Sequence, residues 1–589
     1  MTSLLEMTKK LLTRHKEYVQ AEYHIRHPRL IKERQLMLDD EESGTQIMAP
    51  LFLEAPPKYG SNEKKFNKMN LEESIKKVLT DFADNRLGVW NPPYIHQAEA
   101  IEEFLTNGKD LIVTTGTGSG KTEIFTYSTL GKIAKESSSP SKEEYGIRTL
   151  LLYPMNALVS DQLTRIRKMF GINADASMPE EGKSPLEILN EMRGKNTRPY
   201  RFAMYTGRTP YHGKYDAGKN SRHLSKLSDW IIQNQEGELG DKLQEMGRIP
   251  QKDMRAFRNY GGRARKGEFG GTDPKYRSHN GDTEYLSRQE MLDEDSRNYY
   301  GGGTPDLLIT NYSMLEYMLI RPIEQPILED TKNWLKNNPD EQILMVLDEA
   351  HLYRGSGGAE VALLLRRFMQ RLGVGPERFR FILTSASFND GAIDFASKLT
   401  GKKDLENWHQ QGANPIRYGQ IPVYGKEQDV KSLIKFGVGL ENKGLLKPSQ
   451  LVNLAEELGW EKPPKDIGEK DKDKINAELY LGNNLDNWDI FRFLSDSIGH
   501  PIKANDLCRS LFPNSDKNES LEAVLQLSNM ASMARINRNG LVEPLLPTRL
   551  HLFFRGLPEH YICSSNICDS RRNKDGEFLG KIYLESRFL

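Results

Sequence analysis

A glycine-rich turn wedged between an apolar run and a helix is the feature that most restricts this chain. Asp110-Leu111-Ile112-Val113 leads into Thr114-Thr115-Gly116-Thr117-Gly118-Ser119-Gly120-Lys121-Thr122-Glu123, and a helix-compatible segment, Ile124 to Lys132, follows. Such a turn wraps backbone N–H groups around phosphates, because glycines let the backbone approach them closely. Lys121 suits the β- and γ-phosphates of a nucleotide, and the Thr122 hydroxyl suits Mg²⁺. The generic phosphate-loop pattern has a glycine where this chain has Thr115, so the loop Thr115–Thr122 follows a variant that opens on a small residue. Standing alone, the same residues would also make a Gly/Ser-rich surface turn carrying a chance lysine.

The rest of the chain supplies a matching framework. Thr149–Tyr153, Phe202–Tyr205, Asp306–Thr310, Ile343–Leu347 and Phe379–Thr384 are mostly apolar runs, each followed by small or polar residues. Strands buried on both faces and alternating with helices predict an α/β fold with a parallel sheet flanked by helices. Ligands on such sheets sit at the carboxyl ends of the strands, where all these polar clusters fall. Ile343–Leu347 runs straight into Asp348-Glu349-Ala350-His351. Phosphoryl transfer to water needs a carboxylate that holds Mg²⁺ and a group that orients or deprotonates the attacking water. Asp348 suits the first role and Glu349 the second. Upstream, Gln97 follows Pro92-Pro93-Tyr94-Ile95-His96 at a helix start; its amide offers a donor and an acceptor to an adenine edge.

Together these elements resemble the first RecA-like lobe of a superfamily 2 helicase of the DEAD/DEAH type. The resemblance covers about 91–400, apart from an insertion. It implies an ATP site built from Gln97, Thr115, Gly116, Thr117, Gly118, Ser119, Gly120, Lys121 and Thr122. It also implies that Lys121, Asp348, Glu349 and His351 are catalytic, with Thr122 and Asp348 on Mg²⁺. Ser385-Ala386-Ser387 resembles the element that couples ATP state to strand binding. Pro154-Met155-Asn156-Ala157-Leu158, Thr206-Gly207 and Thr310-Asn311-Tyr312 resemble the strand-gripping elements, which places Pro154, Asn156, Thr206, Gly207, Thr310 and Asn311 on nucleic acid. Hydroxyls, amides and backbone N–H groups hold a sugar-phosphate backbone without reading bases. Narrower features are similar to large bacterial helicases with a zinc-binding cysteine cluster between two RecA-like lobes. These are Tyr-Pro-Met-Asn-Ala-Leu, His351-Leu352-Tyr353-Arg354-Gly355 and the run from Leu546 to Leu557. That subgroup includes antiphage helicases of the Druantia and DISARM systems and relatives in DNA repair. It implies DNA as partner; an RNA helicase is the same-class alternative.

Composition sets outer limits. Lys+Arg and Asp+Glu each number 82 in 589 residues, so no global basic field draws in nucleic acid and contacts must be local. Three cysteines argue against a disulfide framework and for a reducing cytoplasm. No apolar run approaches the ~20 residues of a membrane span. We expect a helical extension and linker over 1–90, with 41–70 as the linker. The first RecA-like lobe is expected over 91–400, with a polar insertion at 208–300. A mostly helical region over 401–550 is expected to include a small winged-helix module, either DNA-binding or purely packing. An incomplete zinc-ribbon-like tail is expected over 551–589. Between 251 and 282 the insertion carries eight Lys/Arg against four Asp/Glu; Arg and Tyr among Gly suit phosphate contact and base stacking, or a solvated loop.

Two things are missing. No Gln-x-x-Gly-Arg-x-x-Arg pattern of a second motor lobe occurs from 401 to 589, and an arginine finger is worth roughly 10³–10⁵ in turnover. Cys563 and Cys568 suit half of a Zn²⁺ site, which needs four ligands, with His551 and His560 nearby and no second cysteine pair following. The expectation is an N-terminal fragment or split gene product, completed by a chain that supplies the second lobe. A different-class alternative is an ATP-gated nucleic-acid-binding or assembly subunit without motor activity of its own.

Overall fold

The computed structural model describes residues 4–39, 50–116, 118–170, 182–193, 198–210, 217–234, 237–252, 254–259, 261–263, 283–299, 301–385, 391–419, 422–441, 448–464, 471–538, 541–554, 561–562 and 582–583. The chain divides into two compact units, Tyr59–Pro415 and a second made of Met1–Lys58 with Ile416–Leu589.

The unit Tyr59–Pro415 is built on eight strands. They are β1 Asp110–Thr114, β2 Thr149–Tyr153, β3 Phe202–Tyr205, β4 Glu284–Tyr285, β5 Leu307–Asn311, β6 Ile343–Leu347, β7 Phe379–Ser385 and β8 Trp408–Gln411. They lie in the order β4-β3-β5-β2-β6-β7-β1-β8, every neighbouring pair parallel. Side chains alternate across the sheet, so each strand feeds two cores. Leu111, Val113, Leu151, Tyr153, Leu344 and Val346 point to one face, where helices Glu73–Asp84 (α1), Ile95–Leu105 (α2), Lys121–Glu136 (α3) and Asn156–Phe170 (α4) pack. Ile112, Leu150, Leu152, Ile343, Met345 and Leu347 point to the other, against Tyr312–Ile320 (α5), Gln325–Asn337 (α6), Gly355–Leu372 (α7) and Ala392–Thr400 (α8). This is the helix-flanked, RecA-like parallel sheet expected from the sequence. All six of the apolar runs read as strands occupy it.

The expected boundaries differ at both ends of this unit. Residues 59–90 belong to it, because Phe66, Val78, Leu79 and Phe82 are buried in the same core as β1. At the other end β8, taken as part of a helical region, pairs along β1 at the sheet edge. The polar insertion contains short regular elements. Its described residues include helices Ala217–Leu224, Glu238–Glu245 and Glu294–Tyr299 and the edge strand β4. Charge pairs inside the fold fix that strand: Arg167 Nη2 lies 2.7 Å from Glu284, and Lys252 lies 2.7 Å from Glu290, which also caps the helix Arg288–Leu292 through Ser287. Residues 264–282, which hold much of the Gly/Arg/Tyr run, lie outside the described residues.

Asp306, at the entry to β5, is the centre of a buried charge cluster. Arg198 grips it through two bonds of 2.8 and 2.6 Å, Arg148 donates at 3.0 Å, Lys142 pairs with it, and the Arg201 N–H donates at 2.9 Å. Burial alone would raise its proton affinity; Arg198, Lys142 and Arg148 outweigh that and hold it well below the usual carboxylate range. A carboxylate with a depressed folded pKa adds stability above its unfolded pKa and loses it as pH falls toward the folded value. The thermal midpoint is therefore expected to fall on acidification below the ordinary carboxylate range. Asp306→Asn is expected to flatten that slope; an unchanged slope in the variant would remove Asp306 from the account.

The other unit has its own core. It gathers helices Glu427–Glu441, Pro448–Leu458, Asp471–Asp486, Asp489–Ser497, Ala504–Leu511 and Lys517–Met533 around Leu433, Leu481, Phe491, Leu507 and Leu527. The segment read as a linker contributes a strand, Phe52–Glu54, pairing with Ile502–Lys503 and Arg549–His551. Three helices followed by the hairpin Arg535–Arg538 and Leu541–Pro544 have the element order of a winged helix. Its long helix is a packing element: residues 523–528 are all buried, and its one cation, Lys517, stands among Asp516, Glu519 and Glu522. A helix that reads DNA needs an exposed face with donors for phosphate and base edges. His551 is hydrogen-bonded to Glu54 at 2.7 Å. Among the described residues no group of three or more His, Cys, Asp or Glu could hold a metal ion. Cys563, Cys568 and His560 lie outside the described residues. No described helix is long and apolar enough to cross a membrane.

Candidate nucleotide and coupling site

The glycine-rich loop expected to hold phosphates leaves β1 at the carboxyl edge of the sheet and enters α3. Gly118 and Gly120 have φ of 79° and 77°, a left-handed backbone that favours glycine, and Gly120 caps the start of α3. The Thr115 and Ser119 hydroxyls meet at 2.5 Å, and Ser119 Oγ donates to Gly116 O at 2.9 Å, so the loop is tied across itself. Thr117 lies outside the described residues. The Lys121 ammonium is buried and has no hydrogen-bond partner among the described residues. An orphaned buried cation beside a helix N-terminus is suited to an anionic ligand.

Gln97, expected to read adenine, makes two bonds within the protein. Its Oε1 accepts from the Tyr94 N–H at 2.9 Å, and its Nε2 donates to Gly120 O at 3.2 Å. A Cβ at Gly120 would lie 2.2 Å from that same Nε2, so the glycine is needed here for closeness as well as for φ. The neighbouring His96, which the sequence did not single out, places Nε2 2.8 Å from Ser119 O.

Asp348 and Glu349 sit at the end of β6 in unlike surroundings. Asp348 is buried, accepts from the Thr384 hydroxyl and takes the Glu349 N–H at 3.0 Å. Burial and the neighbouring Glu349 raise its proton affinity; the Thr384 bond and the Lys121 charge oppose this. A divalent cation would resolve that conflict, and a buried carboxylate together with the Thr122 hydroxyl, in the first turn of α3, would be an oxygen donor set that fits Mg²⁺. Glu349 is half-exposed and holds φ at 52°, one of two non-glycine residues with positive φ among those described. That conformation costs about 1 kcal/mol and is kept where surrounding structure or function requires it. His351 Nδ1 lies 3.3 Å from Glu349 and 3.4 Å from Ser385 Oγ, so one imidazole spans the end of β6 and the end of β7. Ser387 lies outside the described residues. Thr384, also not singled out in the sequence, was signalled only as a hydroxyl near the end of a mostly apolar strand.

The strand-gripping candidates divide by exposure. Asn156 and Gly207 are exposed and Pro154 is half-buried. Asn311 is buried; its Nδ2 donates to Asn156 Oδ1 at 2.6 Å, and its Oδ1 caps α5 through the Met314 N–H at 2.7 Å. Thr206 and Thr310 face inward. Both are buried, the Thr310 hydroxyl donates to Tyr205 O at 2.6 Å, and the Thr206 hydroxyl accepts from the Arg208 N–H at 3.1 Å. The Thr206 bond closes its own turn, and the Thr310 bond ties β5 to β3.

Residues 94–232 match the DEAD/DEAH box helicase family. The chain is 37% identical to Druantia protein DruE of Escherichia coli (strain UMEA 4076-1) over 98% of its own length and 31% of that protein's. It is 29% identical to ATP-dependent helicase hrq1 of Schizosaccharomyces pombe over 26% of its length and 14% of that protein's. The structure of DUF1998 helicase MrfA bound to DNA aligns over 79% of this chain and 50% of that one, at 15% identity and a TM-score of 0.31. The chain thus spans about a third, or less, of the length of the curated relatives it matches. It carries a DEAD/DEAH box helicase domain and resembles the superfamily 2 helicases, with a Druantia-system protein among its relatives.

Proposed function

We propose that the chain binds ATP with Mg²⁺ and hydrolyses it at the Lys121–Asp348–Glu349 site, coupling turnover to movement on a DNA strand. One observation carries this reading: His351 touches both the Glu349 carboxylate and Ser385, linking the hydrolytic position to the element expected to sense the strand. In the proposal Asp348 and Thr122 hold the metal, Lys121 takes the β- and γ-phosphates, and Glu349 orients and deprotonates water. Mg²⁺, when bound, supplies charge neutralisation on the phosphates. The other wall of the nucleotide site, with its arginines, comes from a second RecA-like lobe on a further polypeptide segment. A place in an antiphage or DNA-repair machine follows the resemblance noted above, and the low cysteine count supports a reducing, cytoplasmic setting.

ATPase activity of the full chain, measured alone, with single-stranded DNA and with single-stranded RNA, tests this. Slow basal turnover stimulated by DNA is the expected result. Stimulation by RNA alone would make it an RNA helicase; ATP binding without stimulation by either would make it an ATP-gated assembly subunit. The strand-gripping assignment has a separate test. Thr310→Val is expected to lower stability by about 1 kcal/mol and leave strand affinity unchanged. Asn156→Ala is expected to weaken strand binding and to lower the thermal midpoint modestly, because it also takes from the buried Asn311 Nδ2 the acceptor it bonds at 2.6 Å.

A further inference from the structure

We infer that His96 is a positioning residue for the phosphate loop: its imidazole N–H, bonded to the Ser119 carbonyl, aims the Gly120 N–H at the nucleotide phosphates. The inference rests on the loop being an ATP site. A trans peptide is planar, and its carbonyl and the following residue's N–H point in opposite directions. Whatever holds the Ser119 carbonyl therefore sets the direction of the Gly120 N–H. Whatever holds the Gly120 carbonyl sets that of the Lys121 N–H. In this chain two consecutive side chains at the start of α2 do both: His96 Nε2 on Ser119 O at 2.8 Å, and Gln97 Nε2 on Gly120 O at 3.2 Å. The Ser119 hydroxyl meanwhile holds Gly116 O at 2.9 Å. Three loop carbonyls are thus drawn away from the cradle before any ligand arrives, which removes a reorganisation step from binding.

The imidazole is itself fixed. A carbonyl oxygen only accepts, so the proton of the neutral ring lies on Nε2. Burial lowers the basicity of His96, while the Ser119 bond and Glu99 oppose the shift. Tyr59 meets the ring edge-on at 5.0 Å and Tyr94 stacks against it at 5.7 Å. Tyr94 in turn starts the helix whose first turn Gln97 caps.

Two amide substitutions separate aiming from packing. Glutamine puts its NH₂ group where Nε2 stands; asparagine puts it where Nδ1 stands, short of Ser119. In the full chain His96→Asn is expected to weaken Mg-ATP and Mg-ADP binding roughly three- to tenfold, while His96→Gln stays within about twofold of the original. Adenosine, which has no phosphate, is expected to bind all three proteins alike. Equal ATP affinity in the two variants would overturn the inference, and so would a loss that extends to adenosine. Lys121→Ala serves as the reference. If it keeps ATP affinity, the nucleotide-site reading itself fails; if it loses affinity while His96→Asn does not, only the role of His96 fails.

Discussion

Lys121→Ala is expected to erase the ATP-dependent rise in thermal stability while leaving the nucleotide-free chain as stable as before, or slightly more so. The asymmetry comes from the state of the ammonium. Its nitrogen is buried without a hydrogen-bond partner among the described residues, and Asp348 lies within its field. Removing it relieves the cost of that burial. In the proposed nucleotide complex the same group would meet the β- and γ-phosphates, and each charge-assisted hydrogen bond to them is worth about 1.5–3 kcal/mol. Two such bonds correspond to at least about a hundredfold in affinity. A ligand at a hundred times its Kd stabilises the folded state by about 2.7 kcal/mol, so the contrast is readable in thermal unfolding with and without Mg-ATP. A persistent ATP shift in Lys121→Ala would place the nucleotide elsewhere.

Much of the lobe was legible in the sequence because its strands are buried on both faces. Leu111 and Val113 feed one core and Ile112 the other, so no polar residue interrupts the run before Thr114. The elements missed are those whose partners lie at an edge or far along the chain. Trp408–Gln411 and Glu284–Tyr285 are short and polar edge strands, held by one neighbour each, and an edge strand needs no apolar run. Phe52–Glu54 lies between prolines, and its partners at 502–503 and 549–551 come from the other end of the sequence, so nothing local announces it. At the site, Lys121, Asp348 and Glu349 could be read from the chemistry that phosphate and water require. The contacts of Thr384 with Asp348 and of His96 with Ser119 could not, because each joins separate elements that only the fold brings together. Nor could the backbone bonds of two hydroxyls, Thr206 within its own turn and Thr310 across to Tyr205 of β3.

Glu349→Gln is expected to slow strand-stimulated hydrolysis by about 10²–10⁴, the usual worth of a positioned general base, with ATP affinity unchanged. The two adjacent carboxylates are separable on the same grounds. Asp348 is buried, bonded to Thr384 and within the field of Lys121, which suits a fixed metal ligand; Glu349 is half-exposed and reaches His351 instead. Glutamine keeps the length of Glu349 and can still accept a hydrogen bond from His351, so the left-handed turn and the link to Ser385 survive. It cannot accept a proton from water. Asp348→Asn therefore differs in kind: it weakens Mg²⁺-dependent nucleotide binding as well as turnover. Binding isotherms and single-turnover hydrolysis, each followed across a range of Mg²⁺ concentrations, separate the two. Glu349→Gln turning over within about threefold of the original would assign proton transfer to another group. Loss of Mg²⁺-dependent binding in Glu349→Gln, with Asp348→Asn unaffected, would exchange the two roles.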